Sequence, residues 1–154
     1  MTPQLRAWIE AQKPSLVQAA EEYLNEAKIY LPKGGGGKGG KGGRGGGKRK
    51  DPRVSGSQLR NLLNVAQTER SVAVFRNFLR YQVGRGSRGW PDPASGEALE
   101  SYVDRAIGKR SRSAAGQHGV DARELEAELL PLLLGYVIRE FTYRCAQNGT
   151  SAHG

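Results

Sequence analysis

Apolar residues in this chain recur at every third and fourth position rather than every second, a pattern that predicts helices almost throughout. Thr2 and Pro3 form a helix start, a capping hydroxyl followed by a proline whose missing N–H costs nothing there. Leu5, Trp8 and Ile9 make a short stripe, and Pro14 either kinks this helix or begins the next. Leu16, Val17, Ala20, Leu24, Ala27 and Leu31 continue at helical spacing, with Glu21, Glu22 and Glu26 outward, and Pro32 ends the run. Trp8 and Tyr23 lie on the apolar face, either as core residues or as platforms for bases.

The stretch from Ser55 to Gly86 reads as a helical hairpin. Ser55 and Gln58 have capping-box spacing, and Leu59, Leu62, Leu63 and Ala66 follow as one buried stripe. A polar break at Gln67, Thr68 and Glu69 precedes a second helix with Val72, Phe75, Leu79 and Val83 on one face and Phe78 beside it. Turn residues then surround Trp90, whose indole is expected to plug the end of the core. Residues 94 to 108 predict a helix with Leu99, Tyr102, Val103, Ala106 and Ile107 inward, and residues 111 to 119 a loop.

Asp121 and Glu124 suggest another capping box, opening a last helix with Leu125, Leu129, Leu132, Leu133, Tyr136, Val137, Phe141 and Cys145 on a wide stripe. Pro131 and Gly135 predict a kink in it. Its apolar surface is the densest in the chain and leaves a surplus available to a neighbouring subunit. Residues 148 to 154 are expected to fray. The expected fold is an all-α bundle of about five helices, one domain over residues 1 to 154, interrupted at 33–54 by a long, disordered, basic Gly-rich loop.

Charge changes the picture at that loop. The net charge is +9 over 154 residues, yet eight cations against Asp51 leave +7 in residues 33 to 53 and a nearly neutral remainder. Eleven glycines there maximise the entropy lost on ordering, and the spaced cations repel each other. Such an arm suits a polyanion gripped without sequence preference, with Lys48, Arg49, Lys50 and Arg53 as contacts; the plainer reading is a solvating linker. Gly35 to Lys41 and Gly42 to Lys48 have phosphate-loop spacing, but Gly42 and Arg49 stand where a hydroxyl would hold Mg²⁺, and no strand precedes them. No cofactor is expected.

The hairpin adds Arg76 and Arg80, i, i+4 neighbours, with Arg85 and Arg88 just past the helix end. Guanidinium forks match phosphate oxygens, so this side suits a nucleic-acid backbone or else is a solvated face. Arg105, Lys109, Arg110 and Arg112 complement a helix C-terminus and are also usable as a second phosphate patch. No catalytic set emerges: His118 and His153 fall in loop and tail, and Cys145 lies on an apolar stripe without visible partners. That single cysteine fits a reducing compartment. The first ten residues lack the apolar core of a signal peptide, and the run 129–138, broken by Pro131, is too short to span a bilayer. The expectation is a cytoplasmic protein with no membrane partner.

Ser57, Gln58, Leu59, Arg60 and Asn61, then Phe75 and Phe78, then Tyr81, Gln82, Val83, Gly84 and Arg85, carry a resemblance. Their order and spacing resemble the small helical subunit of type III CRISPR RNA-guided effector complexes. There, a Ser-Gln-Ile/Leu-Arg helix start precedes a Tyr-x-x-Gly/Ala-Arg helix end. Tyr136, Phe141 and Tyr143 give a weaker echo, and the glycine-lysine tract is not part of that pattern. The resemblance implies a non-catalytic subunit that stacks in several copies with other subunits along the complex. It also implies contact with guide RNA and target RNA through the backbone, base pairing reading sequence. Arg60, inside the matched motif, is either such a contact or structural. Two other readings stand beside it. Residues 57 to 85 could form a DNA-binding helix-turn-helix reading bases through Arg76, Asn77 and Arg80, although recognition residues usually lie nearer the helix start. The chain could also be a scaffold with a basic linker.

Overall fold

Short polar side chains open four of the helices by taking backbone amides that have no partner inside the helix. Thr2 accepts the Leu5 amide at 3.2 Å and starts α1, Pro3–Ala27. Ser55 and Gln58 cap each other's backbone reciprocally and start α2, Gly56–Glu69. Ser71 accepts from Val74 at 3.2 Å and starts α3, Val72–Gly84. A 3₁₀ turn, Gly86–Arg88, leads to α4, Pro93–Val103, a π-turn, Asp104–Gly108, and α5, Lys109–His118. Asp121 then takes the amide of Arg123, rather than forming a box with Glu124, and starts α6, Ala122–Gln147. These elements belong to a computed structural model that describes residues 1–34 and 49–153. Among the described residues there is no β-strand and no helix long and apolar enough to cross a membrane.

The described residues fold as an all-helical bundle, and since α4, the π-turn and α5 follow one another directly, they form five helical rods. Several boundaries differ from the sequence expectation. Pro14 sits exposed inside α1 without ending it, and the helix stops at Lys28, in left-handed conformation at φ 51°, before Pro32 is reached. Stopping early lets Ile29 turn fully into the core. Gln67, Thr68 and Glu69 belong to α2, and Arg70, also left-handed, makes the break. Residues 111 to 118, expected as a loop, are helical, because Ser111 and Ala114 are buried and Arg110 reaches Gln12 on α1 at 3.0 Å. Packing overrides weak local propensity there.

α6 is packed against by α1, α2, α3 and α5. Leu129, Leu130, Leu133 and Leu134 are all buried, so most of the apolar surplus expected to face a neighbour is absorbed within the bundle. Tyr143 is the large apolar side chain that α6 exposes. The expected plug is present: Trp90 is buried and donates Nε1–H to Ser95 Oγ at 2.9 Å, while Tyr23 donates to the Ser95 carbonyl at 3.0 Å. Tyr23 is therefore core, not a platform for bases.

Residues 148–153 do not fray. The Lys33 amide donates to the Asp51 carbonyl at 3.1 Å and the Arg53 amide to Leu31 at 2.9 Å, so the two roots of the basic tract pair with each other. On the other edge, Lys50 donates to Gly149 at 3.2 Å and Ser151 donates to Lys50 at 3.0 Å. Thr150 and Ala152 are buried in this three-segment clasp, as are Pro52 and Val54. Residues 49–54, expected within the disordered loop, are thus built into the body, while residues 35–48, including Lys48, lie outside the described residues. Arg144 braces the region: it donates to Glu140 at 2.9 Å and lies 5.3 Å from the centroid of the Tyr30 ring.

Candidate nucleic-acid interface

The arginines of the hairpin divide into two groups with different surroundings. Arg76 and Arg80 do share a side of α3, but that side faces α4 and the π-turn across an open groove of about 530 Å³. Glu97, Glu100 and Asp104 line the same groove. Arg80 grips Glu100 with both prongs, Nε to Oε2 at 3.1 Å and Nη2 to Oε1 at 2.5 Å. That hydrogen bonding holds the guanidinium still more firmly protonated. Two cations among three carboxylates make a mixed-charge groove rather than a purely cationic one. The side of α3 expected to present guanidinium groups at Arg76 and Arg80 is thus shared with carboxylates.

Arg85 and Arg88 sit where the chain leaves α3. Gly86, at φ +62°, adopts a turn that a side chain would strain, and Gly89 presses against the Gln82 carbonyl with no room for a Cβ. The Trp90 amide donates to that same carbonyl at 2.8 Å, and Gln58 Nε2 donates to the Gly89 carbonyl. The turn is therefore held from both hairpin helices and anchored below by the buried indole. Arg85 and Arg88 are exposed on its rim. Arg85 bonds Gln82 at 3.3 Å, and among the described residues neither arginine has a carboxylate in ion-pair reach.

Two small hollows meet at Gln58. One, about 80 Å³, is lined by Gln58, Asn61, Gln82, Arg85 and Arg88. The other, about 250 Å³, is lined by Lys33, Asp51, Arg53, Gln58, Ser87 and His153. Lys33, Arg53, Arg85 and Arg88 thus converge on one end of the bundle, with Asp51 the only carboxylate among the described residues that line the two hollows. Arg49 and Lys50, exposed at the clasp, mark where the tract rejoins the body. Arg60 is not in this group. It bonds Ser57 at 3.4 Å, and a Cβ on Gly56 would touch both its guanidinium and the Ala152 carbonyl, which puts it beside the tail.

The second basic patch is largely occupied. Arg105 stacks 4.5 Å from the Tyr102 ring centroid, Arg110 bonds Gln12, and Arg112 approaches Asp104 at 3.8 Å. Cys145 is buried, which pushes its thiol pKa up and away from nucleophilic use. The sequence reading missed Gln58 as the hinge between hollows, Lys33 as a site residue, and Tyr81. Tyr81 is 61 % exposed with the Arg85 guanidinium 5.7 Å from its ring centroid, and only its i, i+4 spacing to Arg85 signalled the pair. No family model, curated protein or solved structure matches this chain.

Proposed function

We propose that this chain is a non-catalytic RNA-binding subunit of the type III CRISPR effector kind, gripping the backbone of guide and target RNA without sequence preference. The observation that carries the reading is the convergence of Lys33, Arg53, Arg85 and Arg88, none of them ion-paired among the described residues, on the end from which the basic tract departs. Cations with no internal partner keep their full attraction for phosphate, and the turn fixes the backbone beneath Arg85 and Arg88. The motif resemblance in residues 57 to 85 supplies the assembly: several copies stacked with other subunits, in the cytoplasm, with cleavage left to those subunits.

A free-standing helix-turn-helix has less support. Arg80 is engaged by Glu100, and the carboxylates beside Arg76 face the side that would enter a major groove. Purification of the tagged chain from its native cell tests the proposal. Short guide RNAs and a multi-subunit assembly are expected with it; recovery of the chain alone, or with duplex DNA of one sequence, overturns it.

A further inference from the structure

Resting on the reading of this end as a nucleic-acid surface, we infer that Tyr81 is a stacking platform for an unpaired nucleobase, so that the nucleotide it meets lies outside any base-paired stretch. Tyr81 is 61 % exposed and, with Tyr143, is one of two tyrosine rings that the described helices leave open to solvent. Its neighbours are cationic and polar: the Arg85 guanidinium lies over the ring, 5.7 Å from its centroid, and Gln82 follows in sequence, leading into the hollow lined by Arg88. Exposed Val74 lies seven residues back on the same face of α3, while toward the helix C-terminus the adjoining surface offers two arginines with no carboxylate in ion-pair reach among the described residues, a charge that favours an anionic ligand. A base has a flat π-face for the ring and a phosphate for the guanidinium, so one nucleotide satisfies both. In a duplex the faces of the bases are already stacked on their neighbours and cannot reach Tyr81.

The full chain, titrated with fluorescently labelled oligouridine, tests this. Tyr81→Ala is expected to weaken binding about tenfold, the effect of losing one base–aromatic stack, while Tyr81→Phe retains wild-type affinity. Because the side chain is exposed, both variants should keep the wild-type thermal midpoint. An oligouridine with its bases removed should bind wild type and Tyr81→Ala equally, and a duplex of the same length should not distinguish them. Equal loss on duplex and single strand, or unchanged oligouridine affinity in Tyr81→Ala while wild-type binding remains salt-sensitive, overturns the stacking role and leaves the basic end standing. Absence of salt-sensitive binding by wild type overturns both. Loss of self-association in Tyr81→Ala with intact oligouridine affinity overturns it in favour of a contact between copies.

Discussion

Thr150 donates its hydroxyl to the Tyr30 carbonyl at 2.7 Å, across 120 residues of sequence. The bond ties the C-terminal tail to the end of α1, at the point where the basic tract leaves the body. A buried hydroxyl here replaces water for a carbonyl that has turned out of helical pairing. Thr150→Val keeps the shape and removes the donor, so it is expected to lower unfolding free energy by about 1–3 kcal/mol in a denaturant titration. Amide exchange at residues 31–33 and 50–54 should quicken with it. Unchanged exchange there would show that the clasp does not depend on the tail.

The two arginine groups should behave differently. Arg85→Ala with Arg88→Ala is expected to flatten the dependence of log affinity for single-stranded RNA on log salt by about 0.7 for each lost phosphate contact. Arg80→Ala should leave that slope and the thermal midpoint nearly unchanged, because its guanidinium is spent on Glu100 at the surface. Equal effects of the two changes would mean that the groove receives the strand as much as the turn does.

Gly89→Ala places a methyl group against the Gln82 carbonyl, and backbone has no rotamer by which to yield. The expected cost is about 1–3 kcal/mol of stability, together with weaker RNA binding at a temperature where the variant is fully folded. The second effect follows because the turn carrying Arg85 and Arg88 must shift. Gly84→Ala, where a Cβ meets nothing, is the control.

Alkali should unfold the protein through its buried acids. Burial raises the pKa of Tyr23, helped by the nearby Asp92 charge, and burial raises that of Cys145, from ordinary values of 10.0 and 9.0. Each group stays protonated when folded and loses its proton first when unfolded, so unfolding free energy is full below pH 9 and falls as pH rises above it. Tyr23→Phe should make the decline between pH 10 and 11 shallower in urea titrations. An unaltered slope would mean that the phenol is not held neutral by the fold.

Helix existence was legible from spacing alone. The stripes of Leu59, Leu62 and Ala66, of Phe75 and Leu79, and of Leu125, Leu129 and Leu133 are buried as their periodicity required, since a helix stripe has nowhere to go but inward. Capping at Thr2 and Ser55 was equally local and equally visible. The charge asymmetry pointed to a basic surface, yet it could not say which arginines were free. Arg76, Arg80, Arg85 and Arg88 look alike in sequence, and their difference comes from α4 bringing Glu97 and Glu100 to one pair and not the other. The helix through Ser111, the buried tail at Thr150 and the clasp at Lys50 depended on contacts between residues far apart along the chain. Local composition fixed which segments could be helices and where cations were dense; partners supplied from distant segments determined which polar groups were satisfied within the body and which were left to meet a ligand, because hydrogen bonds and ion pairs act only at contact distance.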